Sequence, residues 1–358
     1  MSTTPQPLIH ESVEAAHKLI APYIRHTPVL SSTSLSGLAS SSDLVLTLYF
    51  KPECLQKSGS FKIRGATHAL LRLPQSALAS GCGVTTHSSG NHAAALALAA
   101  RTLGRSTGNP GPIIYPIPAY IIMPNISSPG KIASVRGYGG QITFSGSTHP
   151  ERAAVLAEVQ QRTNAIFIPP YDHPDIIVGQ GTAALELIQD LSPNGLDVIV
   201  APVGGGGLLA GTALAAYGSG IQVYGAEPSE GGADDCARGL KAGERIPFVS
   251  TLTIADGLRT PVGEHNWKII SDQQYVKGVY AVSEEEIKKA MKLGMERLKV
   301  VIEPSSAVPL AALMFNAEFR QRLVQEFPNH AGPIRAGIVI SGGNITLEKV
   351  AELFASED

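Results

Sequence analysis

Residues 198–226 constrain the fold most, because none of them carries a charged side chain. The stretch is long enough for a membrane span. However, Pro202 and the four glycines at 204–207 interrupt it, and a further turn with glycines follows at 218–220. These interruptions fit a strand, a glycine loop, a helix, a turn and a strand. The sequence therefore predicts a buried α/β unit here and no membrane segment.

Elsewhere, apolar runs of strand length alternate with helical patterns, which is typical of α/β folds with mostly parallel sheets. Strands buried on both faces also explain why only 16% of the residues are charged. Ser283 and Glu286 predict a capping box at the start of one helix. The predicted strands are 83–87, 120–123, 141–144, 165–168, 198–203, 221–227 and 336–340, and the predicted helices include 92–103, 150–162, 208–217 and 284–300.

Composition excludes several classes of protein. The formal net charge is −2 and no basic stripe is visible, so we expect no nucleic-acid partner. Cys54, Cys82 and Cys236 form neither a disulfide framework nor a CxxC pair, which favours a reducing compartment. The N-terminus lacks a basic region followed by an apolar core, so we expect no secretory signal and a cytoplasmic protein.

Four successive glycines, Gly204, Gly205, Gly206 and Gly207, join a predicted strand to a helix that begins near Leu208. The first N–H groups of a helix are unpaired and lie at the positive end of its dipole. Glycines let such groups approach an anion closely, so the loop predicts a phosphate site built from backbone. The alternative is a tight turn that binds nothing.

The same loop also fits the outline of a dinucleotide-binding motif. Gly205, Gly207 and Ala210 satisfy G-x-G-x-x-G/A, and Glu227 follows at the end of the next predicted strand. A single motif of this kind is weak evidence. It nevertheless leaves an NAD(P)-dependent oxidoreductase as an alternative function.

Lys62 lies between Phe61 and an amphipathic helical segment, within GSFKIRGA. Apolar surroundings lower the pKa of a lysine and so create a nucleophile or a Schiff-base former. The alternative is an ordinary solvated lysine on a helix surface, which is the usual case for this residue type.

Two more segments place polar residues at the ends of predicted strands. In SSGNHAAA, Asn91 occupies a natural N-cap position, while Ser88, Ser89 and the exposed N–H groups offer a site for a carboxylate. In SGGN, Ser341 places a hydroxyl at the carboxyl end of a strand, where ligands of open α/β sheets bind. The alternative for this second segment is an ordinary polar turn.

These four segments occur in the order found in fold type II pyridoxal-phosphate enzymes, and the chain resembles the serine racemase and serine/threonine dehydratase branch. The similarity runs nearly end to end, from HTPVL through PPYDHPDIIVGQGTAALEL, GAEP, IADG and IEPSSA to SGGN. It implies a tryptophan-synthase-β-like α/β fold of two open, mostly parallel domains with the cofactor in the cleft between them. The large domain would comprise residues 1–82 and 166–358, and the small domain residues 83–165.

The resemblance also implies roles for individual residues. Lys62 resembles the lysine that binds pyridoxal 5′-phosphate covalently, Phe61 lies against the cofactor, and Gly257 flanks its ring. Asn91 is similar to the partner of the ring 3′-oxygen, and Ser341 to the hydroxyl that contacts the pyridine nitrogen. A serine there does not enforce ring protonation as an aspartate does, which favours elimination from β-hydroxy amino acids. The phosphate loop would be Gly204, Gly205, Gly206, Gly207 and Leu208, and the substrate carboxylate site Ser88, Ser89, Gly90, Asn91 and His92.

A metal site is implied as well. Glu227, Ala233 and Asp235 resemble the Glu, the backbone carbonyl and the Asp that hold Mg²⁺ or Ca²⁺ in serine racemases, and such oxygen ligands suit these ions. However, EPSEGGADD is longer than that pattern between the Glu and the Ala, which puts the carbonyl ligand in question. The alternative is a strand-end carboxylate followed by a solvated acidic loop.

The implied activity is that of a serine racemase and an L-serine or L-threonine ammonia-lyase, giving D-serine or a keto acid plus ammonia. Dehydratases of the family commonly carry alanine at the position of Ser89, so Ser89 is the expected acid–base group on the face opposite Lys62 and favours racemisation.

Alternatives within and outside this class stay open. They are a threo-3-hydroxyaspartate dehydratase and a non-catalytic cofactor-binding protein, against which the intact Lys62 and Ser89 argue. The expected partners are an amino-acid substrate and a second copy of the chain in a homodimer, without nucleic acid or membrane. Since the chain ends soon after SGGN, we also expect no C-terminal regulatory domain.

Overall fold

Helices and strands alternate along most of the chain. The computed structural model describes residues 6–355 apart from 89, 107–108, 111, 194 and 329. The strands are β1 (Leu30–Ser31), β2 (Leu46–Pro52), β3 (Val84–His87), β4 (Arg105–Ser106), β5 (Asn109–Pro110), β6 (Ala119–Pro124), β7 (Gln141–Ser145), β8 (Ile166–Phe167), β9 (Val198–Pro202), β10 (Gln222–Pro228), β11 (Gly278–Val282) and β12 (Ile334–Ile340).

The helices cover both faces of the sheets. They are α1 (His10–Ile20), α2 (Thr33–Ala39), α3 (Lys62–Leu71), α4 (Gln75–Leu78), α5 (Asn91–Leu103), α6 (Pro129–Gly137), α7 (His149–Thr163), α8 (Pro174–Asp190), α9 (Gly207–Ala216), α10 (Asp235–Ala242), α11 (Glu264–Ile270), α12 (Glu284–Leu298), α13 (Pro304–Phe315), α14 (Ala317–Glu326) and α15 (Leu347–Phe354). Short 3₁₀ helices form at Glu53–Leu55, Glu230–Gly232 and Asp256–Leu258.

The larger sheet has the strand order β1-β2-β12-β9-β10-β11, and only the β1–β2 pair is antiparallel. Its central strands are buried on both faces. Val198 and Val200 point into a core shared with α2, α12, α13 and α14, whereas Ile199 and Ala201 point into a core shared with α1, α8, α9 and α11. The even, double-sided burial leaves little room for charged residues, as the sequence predicted.

A second sheet is wholly parallel, with the order β7-β6-β3-β8. Ile121 and Met123 of β6 point into a core shared with α3 and α5, while Ile122 packs against α7 through Leu156 and Val159. The strands β4 and β5 pair with each other as a short antiparallel ribbon, which belongs to neither sheet of the described residues. Two layered, mostly parallel sheets confirm the predicted α/β fold class.

The predicted elements agree with the structure to within a few residues. Five strands were not among the predicted ones, namely β1, β2, β4, β5 and β11. The stretch 198–226 contains β9, the glycine loop, α9 and most of β10, and no helix of the described residues is long and apolar enough to cross a membrane. The capping box is confirmed, because Ser283 Oγ accepts from the N–H of Glu286, and Glu286 accepts from the N–H of Ser283.

Close glycine contacts fix α8 between α3 and α9. A Cβ at Gly179 would lie 2.7 Å from the Cα of Gly65, and a Cβ at Gly211 would lie 2.4 Å from the carbonyl oxygen of Ile177. Larger side chains at these points would push the helices apart. Because α3 begins with Lys62 and α9 begins at the glycine loop, α8 sets the distance between these two features.

Candidate active site

Lys62 is the first residue of α3, and the loop before it is joined to the turn that follows β12. The N–H of Phe61 donates to the carbonyl of Ser341 at 3.0 Å, and Ser60 pairs with Gly342. The half-buried Lys62 amine donates to the carbonyl of Pro170 at 2.8 Å and lies 5.0 Å from the centre of the Phe61 ring. This anchoring brings the lysine to the carboxyl edge of the larger sheet.

Burial lowers the pKa of Lys62 to about 8, although the negative charge of Glu303 opposes part of this shift. An amine with that pKa is deprotonated far more often near neutral pH than an ordinary lysine. It can therefore act as a nucleophile or accept a proton.

The glycine loop offers a row of unpaired backbone donors. No acceptor among the described residues pairs with the N–H groups of residues 204–208. The loop itself is held in place, because the carbonyl of Gly205 accepts from Asn266 Nδ2 at 2.6 Å and from the N–H of Gly263 at 3.1 Å. Gly206 has φ 90°, which favours glycine.

The space around the glycines of this loop is too small for larger side chains. A Cβ at Gly205 would lie 2.3 Å from the ring of Tyr171, and a Cβ at Gly204 would lie 2.8 Å from the Cα of Leu258. Unpaired N–H groups at the start of α9, in a loop whose four glycines carry no side chains, fit a phosphate group. The residues present therefore suit the 5′-phosphate of pyridoxal phosphate.

Ser341 is buried at the end of β12, and its hydroxyl lies 3.0 Å from that of Ser306. Ser306 Oγ also donates to the carbonyl of Gly342 at 2.6 Å and accepts from the N–H of Gly342 at 2.7 Å. Since the single proton of Ser306 goes to that carbonyl, Ser341 donates to Ser306. The Ser341 hydroxyl can keep this bond and accept from a ligand, or rotate and donate to a ligand nitrogen that carries no proton.

Asn91 is not the N-cap that the sequence suggested. Gly90 occupies that position, and the Asn91 side chain makes no capping bond. Instead, Asn91 Nδ2 donates to Glu303 at 2.7 Å, while its Oδ1 accepts from Asn344 Nδ2 at 2.8 Å. A partner 212 residues away thus outcompetes the local cap. The second Nδ2 proton remains available to a ligand.

Glu303 is a candidate functional residue that sequence reasoning missed. It is buried at the N-cap of α13, and it accepts from both Asn91 and the N–H of Asn344. Burial, reinforced by the negative charge of Asp256, raises its pKa to about 7 against the opposing hydrogen bond from Asn91. Its charge therefore changes near neutral pH.

Ser305 and Ser306 follow Glu303 in the first turn of α13, and all three are buried. Ser305 Oγ accepts from the N–H of Gly257 at 3.1 Å, which holds the Asp256–Leu258 turn. We call Glu303, Ser305 and Ser306 the α13 cluster. Each member contacts a different predicted site residue, so IEPSSA, with Pro304 at the helix start, was the signal that could have revealed it.

The predicted substrate loop is only partly described, because Ser89 lies outside the described residues. Ser88 Oγ accepts from the N–H of Gly90 at 3.3 Å. The buried ring of His92 has Nε2 3.2 Å from the carbonyl of Ile168, so Nε2 carries the proton. Burial, with a smaller effect of the Lys62 charge, lowers the pKa of His92 to about 3. A neutral His92 offers no side-chain donor to a carboxylate.

Glu227 and Asp235 are buried close to the glycine loop. Glu227 accepts from the N–H groups of Cys236 at 3.2 Å and Ala237 at 2.7 Å, while Asp235 accepts from the N–H of Val262 at 3.1 Å. Burial raises the pKa of Glu227 well above its ordinary value, helped by the charge of Asp235. Burial also raises the pKa of Asp235 to about 6.

Two consequences follow for the alternatives. Glu227 is buried and each of its oxygens accepts one N–H at the start of α10, so no exposed strand-end carboxylate is left for the ribose hydroxyl of a dinucleotide, whereas each oxygen keeps a lone pair for a cation. Burying two neighbouring acids is costly unless a cation compensates them, so this pair fits a hard divalent ion. Ala233 is buried two residues before Asp235, directly after a 3₁₀ turn in which Gly231 and Gly232 have positive φ.

Comparison with known proteins identifies related chains. Residues 20–327 match the family described as pyridoxal-phosphate dependent enzyme. The chain is 43% identical over 347 residues to serine racemase of Arabidopsis thaliana, with 96% of each protein covered. It is 39% identical over 343 residues to beta-hydroxyaspartate dehydratase of Paracoccus denitrificans, covering 95% of this chain and 98% of that protein. The structure of maize serine racemase superposes with a TM-score of 0.84 at 39% identity, over 98% of this chain and 97% of that one.

Proposed function

The chain belongs to the pyridoxal-phosphate-dependent enzymes, and we propose that it is a serine racemase that also eliminates water from L-serine and L-threonine. One observation carries this proposal: the Lys62 amine, held by the carbonyl of Pro170, lies at the same sheet edge as a loop of unpaired N–H groups. Relatives of similar length that are named serine racemase support the choice of substrate.

Each end of the cofactor would meet a different set of residues. Residues 204–208 would hold its phosphate, and Phe61 and Gly257 would flank its ring. Asn91 would donate to the ring oxygen, and Ser341 would contact the ring nitrogen without forcing it to carry a proton. The cofactor would then lie between the large domain, 1–82 with 166–358, and the small domain, 83–165.

When bound, pyridoxal phosphate supplies an electron sink that stabilises negative charge at the substrate α-carbon. Lys62 Nζ would take the α-proton, for which an amine of lowered pKa is suited. The N–H groups at the start of α5, together with Ser88, Ser89 and Gly90, would orient the substrate carboxylate. The neutral side chain of His92 would line this site rather than donate to it.

Racemisation needs a second acid–base group on the opposite face of the α-carbon. We assign that role to Ser89, which would return a proton on the face that Lys62 does not reach. Ser89→Ala should abolish both formation and breakdown of D-serine, while L-serine dehydration stays largely intact. If the wild type neither makes nor consumes D-serine, the protein is a dehydratase and the racemase assignment is wrong.

A divalent cation, Mg²⁺ or Ca²⁺, would bind Glu227, Asp235 and the carbonyl of Ala233. Support comes from the two buried acids, for which the described residues provide no ion-pair partner. Removing the metal with a chelator should lower the melting temperature, and Mg²⁺ or Ca²⁺ should restore it. Asp235→Asn should abolish that response, whereas a wild type that ignores chelation would contradict the metal site.

Dehydration of threo-3-hydroxyaspartate is the second candidate. Arg152, on the first turn of α7, has a buried Nε for which the described residues provide no acceptor. Its positive charge acts on Tyr171, whose ring covers the glycine loop. A second substrate carboxylate would satisfy this guanidinium. The test is to assay the wild type and Arg152→Ala with serine, threonine and threo-3-hydroxyaspartate. If this candidate function holds, the substitution should lower the activity on threo-3-hydroxyaspartate, the dicarboxylate, and leave the activity on the other two substrates unchanged.

The proposal also includes the cellular location and the oligomeric state. We expect a cytoplasmic enzyme, which the three free cysteines support. We also expect a homodimer. Phe248 and Leu252, which are 75% and 85% exposed, are apolar side chains that a second subunit would cover. Sedimentation analysis of the purified protein tests this, and a monomer at micromolar concentration would contradict it.

A further inference from the structure

A group of charged side chains lies buried beside α3, outside the site described above. Lys51, Glu53, Arg64 and Glu186 are each at most 1% exposed at the side chain. We call these four residues the ionic cluster. They come from the end of β2, the 3₁₀ turn after it, the first turn of α3, and α8.

Arg64 is the centre of the ionic cluster, because it makes two forked ion pairs at once. Its Nε and Nη2 donate to the two oxygens of Glu53 at 2.7 and 2.8 Å. Its Nη1 and Nη2 donate to the two oxygens of Glu186 at 2.8 Å each. Such two-pronged pairs fix the position of a guanidinium in a way that a single contact does not.

The rest of the ionic cluster balances these charges. Lys51 Nζ contacts Glu186 at 2.8 Å and donates to the carbonyl of Thr27 at 2.6 Å. Hydrogen bonds from His17 and Arg64 outweigh burial and hold the pKa of Glu186 well below its ordinary value. Two cations therefore face two anions, and the cluster as a whole is neutral.

Burying ion pairs is an expensive route to stability, since apolar residues of similar size often stabilise a core equally well. Its position in the fold suggests a different use. Glu53 and Arg64 stand at the two ends of the segment that carries Phe61 and Lys62. Their pairing closes this segment into a loop, and Glu186 fastens the closed loop to α8.

We propose that Arg64 is a positioning residue, which holds the first turn of α3 so that the Lys62 amine stays against the carbonyl of Pro170. The inference rests on the proposed role of Lys62. Lysine at position 64 would keep the charge but could reach only one of the two carboxylates with a single prong. The turn would then be free to rotate, and the Lys62 amine would become more solvated.

The test compares Arg64→Lys with Arg335→Lys. Arg335 makes a similar forked pair with Asp197, through Nε at 3.0 Å and Nη2 at 2.8 Å, but at the opposite end of the sheet. Glu53→Gln removes one anchor of Arg64 and serves if Arg64→Lys does not fold. The titratable groups that face Lys62 are Glu303 and His92, and none of these variants changes them.

The first readout needs no turnover. Trace acetylation of the full-length, cofactor-free protein at a series of pH values, followed by peptide mass spectrometry, gives the titration midpoint of Lys62. It should be about 8 in the wild type and in Arg335→Lys. In Arg64→Lys it should move upward toward the ordinary value of ~10.4. In the loaded enzyme, kcat of Arg64→Lys should fall roughly 10- to 100-fold with little change in KM.

Each outcome is decisive for one claim. The ionic cluster would be only structural if Arg64→Lys, or Glu53→Gln, had the same titration midpoint of Lys62 and the same kcat as Arg335→Lys. A wild-type midpoint near ~10.4 would instead contradict the proposed role of Lys62 itself. The two failures are therefore distinguishable.

Discussion

The glycine loop and the α13 cluster lie at the same edge of the molecule, but the loop presents backbone groups and the cluster presents side chains. The loop presents backbone N–H groups, which do not titrate, at positions where no side chain fits. The α13 cluster presents buried side chains, and the pKa of Glu303 is about 7. The loop therefore adds no titrating protein group to phosphate binding, whereas chemistry near the α13 cluster should depend on the charge of Glu303.

The largest expected effect comes from Lys62, which the α13 cluster influences through Glu303. Lys62→Ala should abolish turnover and remove the visible absorbance of the lysine-bound cofactor. The glycine loop is untouched, so pyridoxal phosphate should still bind weakly and be lost on dialysis. Absorbance spectra before and after dialysis check this, and a visible band that survives in the variant would rule out Lys62 as the attachment point.

Gly205→Ala breaks the loop and leaves the α13 cluster unchanged. The new Cβ would lie 2.3 Å from the Tyr171 ring, so the loop must move and lose N–H contacts with the phosphate. We expect an affinity for pyridoxal phosphate about tenfold lower or worse, because hydrogen bonds to charged groups contribute ~1.5–3 kcal/mol. Affinity for pyridoxal, which lacks the phosphate, should hardly change. Fluorescence titration measures both.

Gly37→Ala is the matched control for the loop, because the described residues place no atom within 4 Å of its added Cβ, apart from its chain neighbours and the backbone of its own helix. It should bind both ligands like the wild type. If Gly205→Ala lost as much affinity for pyridoxal as for pyridoxal phosphate, the loop would not be the site that binds the phosphate.

Glu303→Gln removes the titrating group of the α13 cluster. The wild-type kcat should rise with pH through about 7, as the carboxylate forms and orients Asn91. In the variant, kcat should not rise with pH through about 7, and kcat at high pH should be lower than in the wild type. A kcat profile across the pH range measures this, and a rise unchanged by the substitution would assign it to another group.

The same raised pKa has a consequence for stability. A carboxyl whose folded pKa lies above its unfolded pKa favours folding at low pH, and this contribution is lost as pH rises through the folded pKa. The melting temperature of cofactor-free Glu303→Gln, relative to the wild type, should therefore increase as pH rises from the ordinary glutamate value of ~4.3 to about 7, and change little above that.

Ser305→Ala should have the smallest effect. It leaves the N–H of Gly257 without its partner, which costs about 1–3 kcal/mol of folding free energy. Because Ser305 reaches the site only through Gly257, we expect kcat to change by no more than about fivefold, or ~1 kcal/mol in activation free energy. Thermal melts and initial rates check both values. A loss of activity as large as that of Glu303→Gln would give Ser305 a direct role.

The two regions also differ in how visible they are in the sequence. Four adjacent glycines between a strand and a helix are a local pattern with a local physical reason. The α13 cluster is not, because Glu303 meets Asn91 from 212 residues away. The N-cap interpretation of Asn91 was wrong for this reason, since it weighed only neighbours along the chain.

The missed strand β2 follows the same logic. It ends in Lys51 and Pro52, which are atypical of a buried strand. Lys51 is nevertheless fully buried, because its ammonium group donates to the carbonyl of Thr27 and forms an ion pair with Glu186. Sequence patterns predict elements that depend on their own apolar residues, and they fail where a distant partner makes a polar residue acceptable inside.

Reductive trapping tests the central claim most directly. Borohydride treatment of the loaded wild-type protein, followed by peptide mapping, locates the lysine that carries the cofactor. We expect the pyridoxyl group on Lys62 and on no other lysine. A pyridoxyl group on a different lysine, or none after a visible band has been bleached, would contradict it.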